Sequence, residues 1–265
     1  EVNKLIYTKI QEEKRAIRGK TVNRFTSRYM KTVTDPITEI NRMFEDASDM
    51  LGEWRIFERG DEIKLGKESI IPIVNILEQK AISQTGNDIV GLAYESFLPS
   101  IFRGERLGQY FTPDRIKEFM LDILDPKIGN LIIDPAFGSG GFLVFTYKRL
   151  LEALKRGGLD KEKIEQEKLK LTSDYIYGTE ITARLAVACK TNMYLHGDGR
   201  THIYRHDGLV NFGDIQEDKF DIVVTNPPFG APIDKRDVLD TFQLGIGRRS
   251  QQSNVLFLER CVRLA

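Results

Sequence analysis

The sequence predicts an α/β fold, a mainly parallel sheet covered on both faces by helices, preceded by an α-helical N-terminal domain. Two observations predict it. Residues 1 to about 105 repeat apolar side chains at helical spacing. From about residue 106 onward, short apolar runs alternate with helical stretches, the texture of strands buried on both faces.

In the first segment Leu5, Ile6 and Ile10 share one face, and Ile70, Ile73, Val74 and Leu77 recur with the same period. Asp35-Pro36 opens a helix, with aspartate as N-cap and proline in the first turn. The stretch Asp88 to Phe102 continues the pattern through Ile89, Leu92, Ala93, Phe97 and Leu98. The expected division is therefore a helical domain over 1–105 and a second domain over 106–265. In the second, strands are expected at Asn130 to Asp134, Tyr175 to Glu180, His202 to His206 and Phe220 to Thr225. Helices are expected at about 141–156, 182–195 and 253–264. The Lys/Glu-rich run Lys155 to Lys170 reads as an exposed helix or loop. There is no internal repeat.

Composition excludes more than it identifies. The chain has 39 basic and 39 acidic residues, so its overall charge carries no nucleic-acid signal. Residues 1–31 hold nine basic residues against Glu1, Glu12 and Glu13, a segment that either faces phosphates or forms a solvated helical surface. Cys189 and Cys261 fit no metal or redox spacing, three histidines complete no ligand set, and no metal is expected. No apolar run approaches the roughly 18 residues of a membrane span, and no signal-peptide core is present, so a soluble cytoplasmic protein is expected.

Two strand ends carry the chemistry. The first is Leu131-Ile132-Ile133-Asp134-Pro135-Ala136-Phe137-Gly138-Ser139-Gly140-Gly141-Phe142, an apolar strand, a glycine loop and a helix start. Such loops bring backbone close to a ligand, but dehydrogenases, P-loop proteins and plain strand-to-helix turns all use them. Here there is no GxGxxG register, and no Lys-Ser/Thr follows the glycines. Asp134 stands where a pyrophosphate would lie, which suits a cationic ligand better than an anionic one.

The second is Asp221-Ile222-Val223-Val224-Thr225-Asn226-Pro227-Pro228-Phe229. An exocyclic amine on a base is a poor nucleophile because its lone pair is delocalised. The Asn226 side-chain oxygen and the Pro227 carbonyl can accept both N–H protons, so that the nitrogen pyramidalises toward a methyl donor. Pro227-Pro228 stiffens that carbonyl, and Phe229 offers a face for a flipped base. The bland alternative is an Asn-Pro turn closing a strand.

Asp-Pro-Ala-Phe-Gly-Ser-Gly-Gly-Phe followed by Asn-Pro-Pro-Phe closely resembles the N6-adenine DNA methyltransferases. Gly108-Gln109-Tyr110-Phe111-Thr112-Pro113 upstream resembles their N-terminal cofactor motif, and the order resembles the gamma arrangement of modification subunits in type I restriction-modification systems. The resemblance is specific over residues 88–265. It implies a Rossmann-like S-adenosylmethionine-dependent methyltransferase fold, incomplete at its C-terminus because the resembling enzymes continue with three further strands and a recognition or docking region. It also implies double-stranded DNA, a specificity subunit and a restriction subunit as partners.

Carried over by position, the resemblance assigns Asp134, Ala136, Gly138, Ser139 and Gly140 to the methionine half of S-adenosyl-L-methionine, with Gln109, Tyr110, Phe111 and Thr112 closing over it. Glu180, followed by Ile181, matches the acid that binds the ribose hydroxyls. Asp207, followed by Gly208, matches the acid that receives the cofactor's adenine amino group, with Asp198 as competitor. Asn226, Pro227, Pro228 and Phe229 hold the target base. His206 and His196 read as structural or surface residues. Methylation of a protein glutamine or an RNA base, and a cofactor-binding subunit without activity of its own, are the alternatives.

Overall fold

The computed structural model describes residues 1–50, 55–102, 111–197 and 202–265. The chain divides into two units, Glu1–Ala93 and Tyr94–Ala265. The first is helical, with α1 (Val2–Gly19), α2 (Ser27–Met30), α3 (Pro36–Asp49), α4 (Lys67–Leu77) and the start of α5 (Asn87–Ile101), inside which the second unit begins. Helix α3 starts as the sequence requires, with Asp35 accepting from the Thr38 N–H at 3.4 Å and Pro36 in the first turn.

The basic N-terminal segment is used partly inside this unit. Lys9 is buried and pairs with Glu13. Buried Glu12 accepts from Arg15 at 2.9 Å and also from Arg24, which reaches Asp46 at 2.9 Å. Burial alone would lift the Glu12 carboxyl, but the two guanidiniums hold it below its ordinary value. Three of the nine cations are therefore spent on buried or half-buried acids, which neither a phosphate-facing nor a fully solvated surface describes.

The second unit continues through α6 (Asp114–Leu124), β1 (Ile132–Asp134), α7 (Gly141–Arg156), α8 (Lys161–Lys170), β2 (Ile176–Thr179), α9 (Ala183–Leu195), β3 (His202–Tyr204), β4 (Ile222–Val223), β5 (Pro232–Ile233), α10 (Arg236–Leu239), β6 (Gln251–Gln252) and α11 (Ser253–Leu264). The exposed Lys/Glu-rich run is the end of α7 and all of α8, capped by Asp160 accepting from the Lys163 N–H at 2.8 Å. The sheet runs β3-β2-β1-β4, with every pair parallel. The strands are shorter than their apolar runs suggest because each chain leaves the sheet into a turn. Beyond the two residues of β4, ladder-like bonds persist from Asp221 to Leu131 at 2.9 Å and from Val224 to Ile133 at 3.0 Å.

Alternation along the strands sends neighbours to opposite faces. Ile132 and Ile176 pack with Phe142, Leu143, Tyr147, Cys189 and Met193 under α7 and α9. Ile133 and Tyr177 pack with Ile215, Phe220 and Leu264 on the other face. The β5–β6 hairpin and α10 precede α11, joined by Val238, Leu239, Phe242, Leu256 and Phe257. Among the described residues, no helix is long and apolar enough to cross a membrane.

Leu143 is fully buried between α7 and the sheet. Leu143→Ala should lower unfolding stability by about 2–5 kcal/mol through lost transfer energy and a residual cavity. Denaturant titration checks this, with the midpoint falling and the slope unchanged.

Candidate active site

Strand order fixes where a ligand can sit. The chain moves outward from β1 to β2 to β3 and then returns to place β4 on the opposite side of β1. In open parallel sheets the crevice at the carboxyl ends of the strands beside such a reversal is the binding position. Asp134 ends β1, and Asn226 follows β4 by three residues.

Asp134 is 1% exposed, and its Oδ1 accepts from the Ala136 N–H at 3.0 Å. Burial pushes its carboxyl up to about 7. Thr225 and the Ala136 N–H pull it back, and the Glu180 charge adds to the rise. After Asp134 the glycine loop turns through positive φ at Gly138 (57°) and Gly140 (87°). A side chain at Gly140 would also run into Cys189 Sγ of α9, 2.4 Å from where its Cβ would stand. Ser139 presents its carbonyl to Asn192 Nδ2 at 3.5 Å, so α9 supports the loop.

The loops after the first three strands interlock. Pro135 O accepts from Thr179 Oγ1 at 2.9 Å, and Phe137 N–H donates to Thr179 O at 3.2 Å. Gly208 lies so close that a Cβ there would be 1.9 Å from Pro135 O. Only glycine fits. Glu180 is nearly buried and accepts from Gly138 N–H at 3.1 Å and Thr182 N–H at 2.8 Å, one bond to each carboxylate oxygen. A carboxylate oxygen has two lone pairs, so each retains acceptor capacity. Ile181 beside it is 60% exposed. Asp207 is half-buried, and its Oδ1 accepts from Leu209 N–H at 3.0 Å.

Across the reversal, Asn226 Nδ2 donates to Thr112 Oγ1 at 3.0 Å. Engaging the amide nitrogen leaves Oδ1 as the acceptor on the other branch of the group. Pro228 O accepts from Ser253 Oγ at 2.6 Å, and Ser253 N–H donates to Ala231 O at 2.9 Å, so α11 anchors the segment after the prolines. Phe229 is 64% exposed. Phe111 is half-buried, with its ring centroid 6.3 Å from that of Phe102.

The structure thus brings Asp134, Ala136, Gly138, Ser139, Gly140, Glu180, Asp207 and Gly208 onto interlocked strand-end loops and joins Asn226 to Thr112. Gln109, Tyr110 and Asp198 lie outside the described residues. His196 is buried at the C-cap of α9, 3.6 Å from Glu95, and His206 stacks on Phe212 at 4.1 Å between ring centroids. Among the described residues no group of three or more His, Cys, Asp or Glu could hold a metal. Sequence reasoning missed Thr179, Ser253 and Asn192, which support the loops. Lying in a strand and two helices, they carry no local signature, and only pairing across the fold reveals them.

The family model described as N-6 DNA Methylase matches residues 85–264. The chain is 28% identical over 204 residues to the type I restriction enzyme EcoEI methylase subunit of Escherichia coli, covering 76% of this chain and 39% of that one. It is 35% identical over 148 residues to the type I restriction enzyme MjaIX methylase subunit of Methanocaldococcus jannaschii, covering 54% and 23%. It therefore spans less than half the length of these relatives. Among solved structures, the type I restriction-modification methyltransferase subunit of Streptococcus thermophilus shares the fold with a TM-score of 0.58 at 17% identity, covering 96% of this chain and 52% of that one.

The raised Asp134 carboxyl makes stability depend on pH. The folded state binds its proton more tightly than the unfolded state, so the full contribution is present below about 3.8 and is lost as pH rises through about 7. Asp134→Asn should remove that loss. Melting temperatures of the two proteins should converge at acid pH and separate toward pH 8, with the variant higher.

Proposed function

The chain belongs to the N-6 DNA Methylase family, and on that premise we propose that it forms the catalytic core of an adenine-N6 DNA methyltransferase of a restriction-modification system, with S-adenosyl-L-methionine as methyl donor. The observation that carries the reading is the juxtaposition of Asp134, Glu180 and Asp207 at the ends of three adjacent parallel strands, with Asn226 across the reversal and bonded to Thr112.

The residues fit this cofactor. Space is open at the Cβ position of Gly138, so its backbone can meet a ligand closely. The three acids offer hydrogen-bond acceptors, and a cation beside Asp134 would favour its charged form, which together suit a sulfonium and ammonium, two ribose hydroxyls and an adenine amino group. Asp134 and the loop Ala136 to Gly140 hold the methionine half, and Gln109, Tyr110, Phe111 and Thr112 close it. Glu180 takes the ribose, flanked by Ile181, and Asp207 with Gly208 takes the adenine. When bound, the cofactor supplies an electrophilic methyl group on sulfur.

The rest of the chemistry is positioning. Asn226 Oδ1 and the Pro227 carbonyl accept the two N–H protons of the target amine and direct its lone pair. Thr112 sets the Asn226 amide through its hydroxyl. Ser253 holds the Pro228 carbonyl, which keeps the two prolines and the exposed Phe229 in place for stacking against an extruded adenine. No covalent intermediate is required. The partners are duplex DNA, a specificity subunit and a restriction subunit, in keeping with relatives that are subunits of type I restriction enzymes. The location is cytoplasmic, where that DNA lies.

In the full-length protein with its partner chains, methyl label from S-adenosylmethionine should appear on adenine N6 of duplex DNA. Asn226→Ala should lower turnover by about 10²–10³-fold, the usual loss for one aligned hydrogen-bonding group at a reacting centre, while calorimetric affinity for S-adenosylhomocysteine stays within about twofold, under 1 kcal/mol. Label on RNA or on a protein glutamine would overturn the acceptor, and cofactor binding without transfer would identify a non-catalytic subunit.

A further inference from the structure

Arg260 lies on α11, outside every motif at the strand ends, and is the largest fully buried side chain among the described residues, at 1% exposure. Its Nε donates to Gly208 O at 3.0 Å, Nη1 to Asn211 Oδ1 at 2.7 Å and Nη2 to Val210 O at 3.3 Å. Glu217 stands 3.7 Å from Nη1 as a counter-charge. All three hydrogen-bond acceptors belong to residues 208–211, the turn that follows Asp207. Within the turn, Asp207 Oδ1 accepts from Leu209 N–H at 3.0 Å, and Asp207 O accepts from Val210 N–H at 3.1 Å.

Burying a guanidinium is a costly way to fill space among Leu256, Phe257 and Leu264, where an apolar side chain would pack without desolvating a charge. What the guanidinium adds is direction. Its rigid fork fixes two carbonyls and one side-chain oxygen of a four-residue turn at once. On its other side the turn is limited by Pro135 O, against which Gly208 packs. The carboxylate that begins the turn is therefore held between α11 and the glycine loop.

We propose that Arg260 is a positioning residue for the cofactor's adenine, fixing the Gly208–Asn211 turn so that the Asp207 carboxylate stands where an exocyclic amino group can donate to it. The inference rests on the S-adenosylmethionine reading above and adds a residue that acts only through Asp207.

The test compares affinities of the full-length protein for S-adenosylhomocysteine and for S-inosylhomocysteine, which has a carbonyl in place of the adenine amino group. The wild-type protein should prefer the first by about tenfold or more, the scale of one hydrogen bond to a charged group. Arg260→Met, which keeps an apolar stem and removes the donors, should reduce that preference to within about twofold, as should Asp207→Asn, because either loses most of that bond. Asn211→Ala, an exposed position that removes one acceptor, should reduce it partly and serves as the deciding variant if Arg260→Met does not fold. Equal weakening of both ligands, with the ratio unchanged in the variant that decides, would make Arg260 merely structural and overturn the proposal. A wild-type protein that binds both ligands equally would overturn it through Asp207. Failure of the wild-type protein to bind S-adenosylhomocysteine at all would instead overturn the cofactor reading.

Discussion

The carbonyl oxygen of Pro135 is the point on which three strand ends depend. It accepts the Thr179 hydroxyl at the end of β2 and leaves no room beside it for anything but Gly208 after β3. Proline at 135 fixes its own φ, which removes one of the two rotations between Asp134 and that carbonyl. The three candidate acids, at strand ends far apart in sequence, are thereby held in one arrangement. Loops are ordinarily the mobile part of an α/β fold, and here backbone bonds tie them to one another, from Phe137 N–H to Thr179 O, Glu180 N–H to Tyr204 O and His206 N–H to Glu180 O.

Electrostatics follow from that arrangement. Asp134 is buried, its carboxyl stands at about 7, and the Glu180 charge contributes to the rise. A positive charge placed beside such a group would lower it again, because attraction to the charged form offsets the desolvation that keeps it protonated. Glu180 differs. Its two backbone hydrogen bonds orient the carboxylate while leaving acceptor sites for hydroxyls, so neighbouring acids are suited to different partners by their surroundings.

Much of this was legible in the sequence because the informative residues are local. Glycines at 138 and 140, Asp134 before Pro135, and the Asn226-Pro227-Pro228 run each state a backbone requirement or a chemical capacity at one place. The alternation that places Ile132 and Ile133 on opposite faces follows from strand periodicity alone. What stayed hidden is non-local. Nothing near residue 260 indicates that its guanidinium crosses 49 to 52 positions to reach the turn after Asp207. Nor does the Thr112 sequence indicate a bond to Asn226, 114 residues away. The charge count of the first 31 residues is incomplete for the same reason, since Glu12 and Arg24 find each other only in the folded helices.

Asp134 is a buried acid raised by its surroundings, and the role proposed for it is to meet a cationic ligand. Carbon-detected NMR titration of its labelled carboxyl, without and with saturating S-adenosylmethionine, measures this directly. The expected result is a midpoint near 7 in the free protein that falls when the sulfonium cofactor binds. A midpoint in the ordinary carboxylate range, or one that the cofactor leaves unmoved, would contradict it.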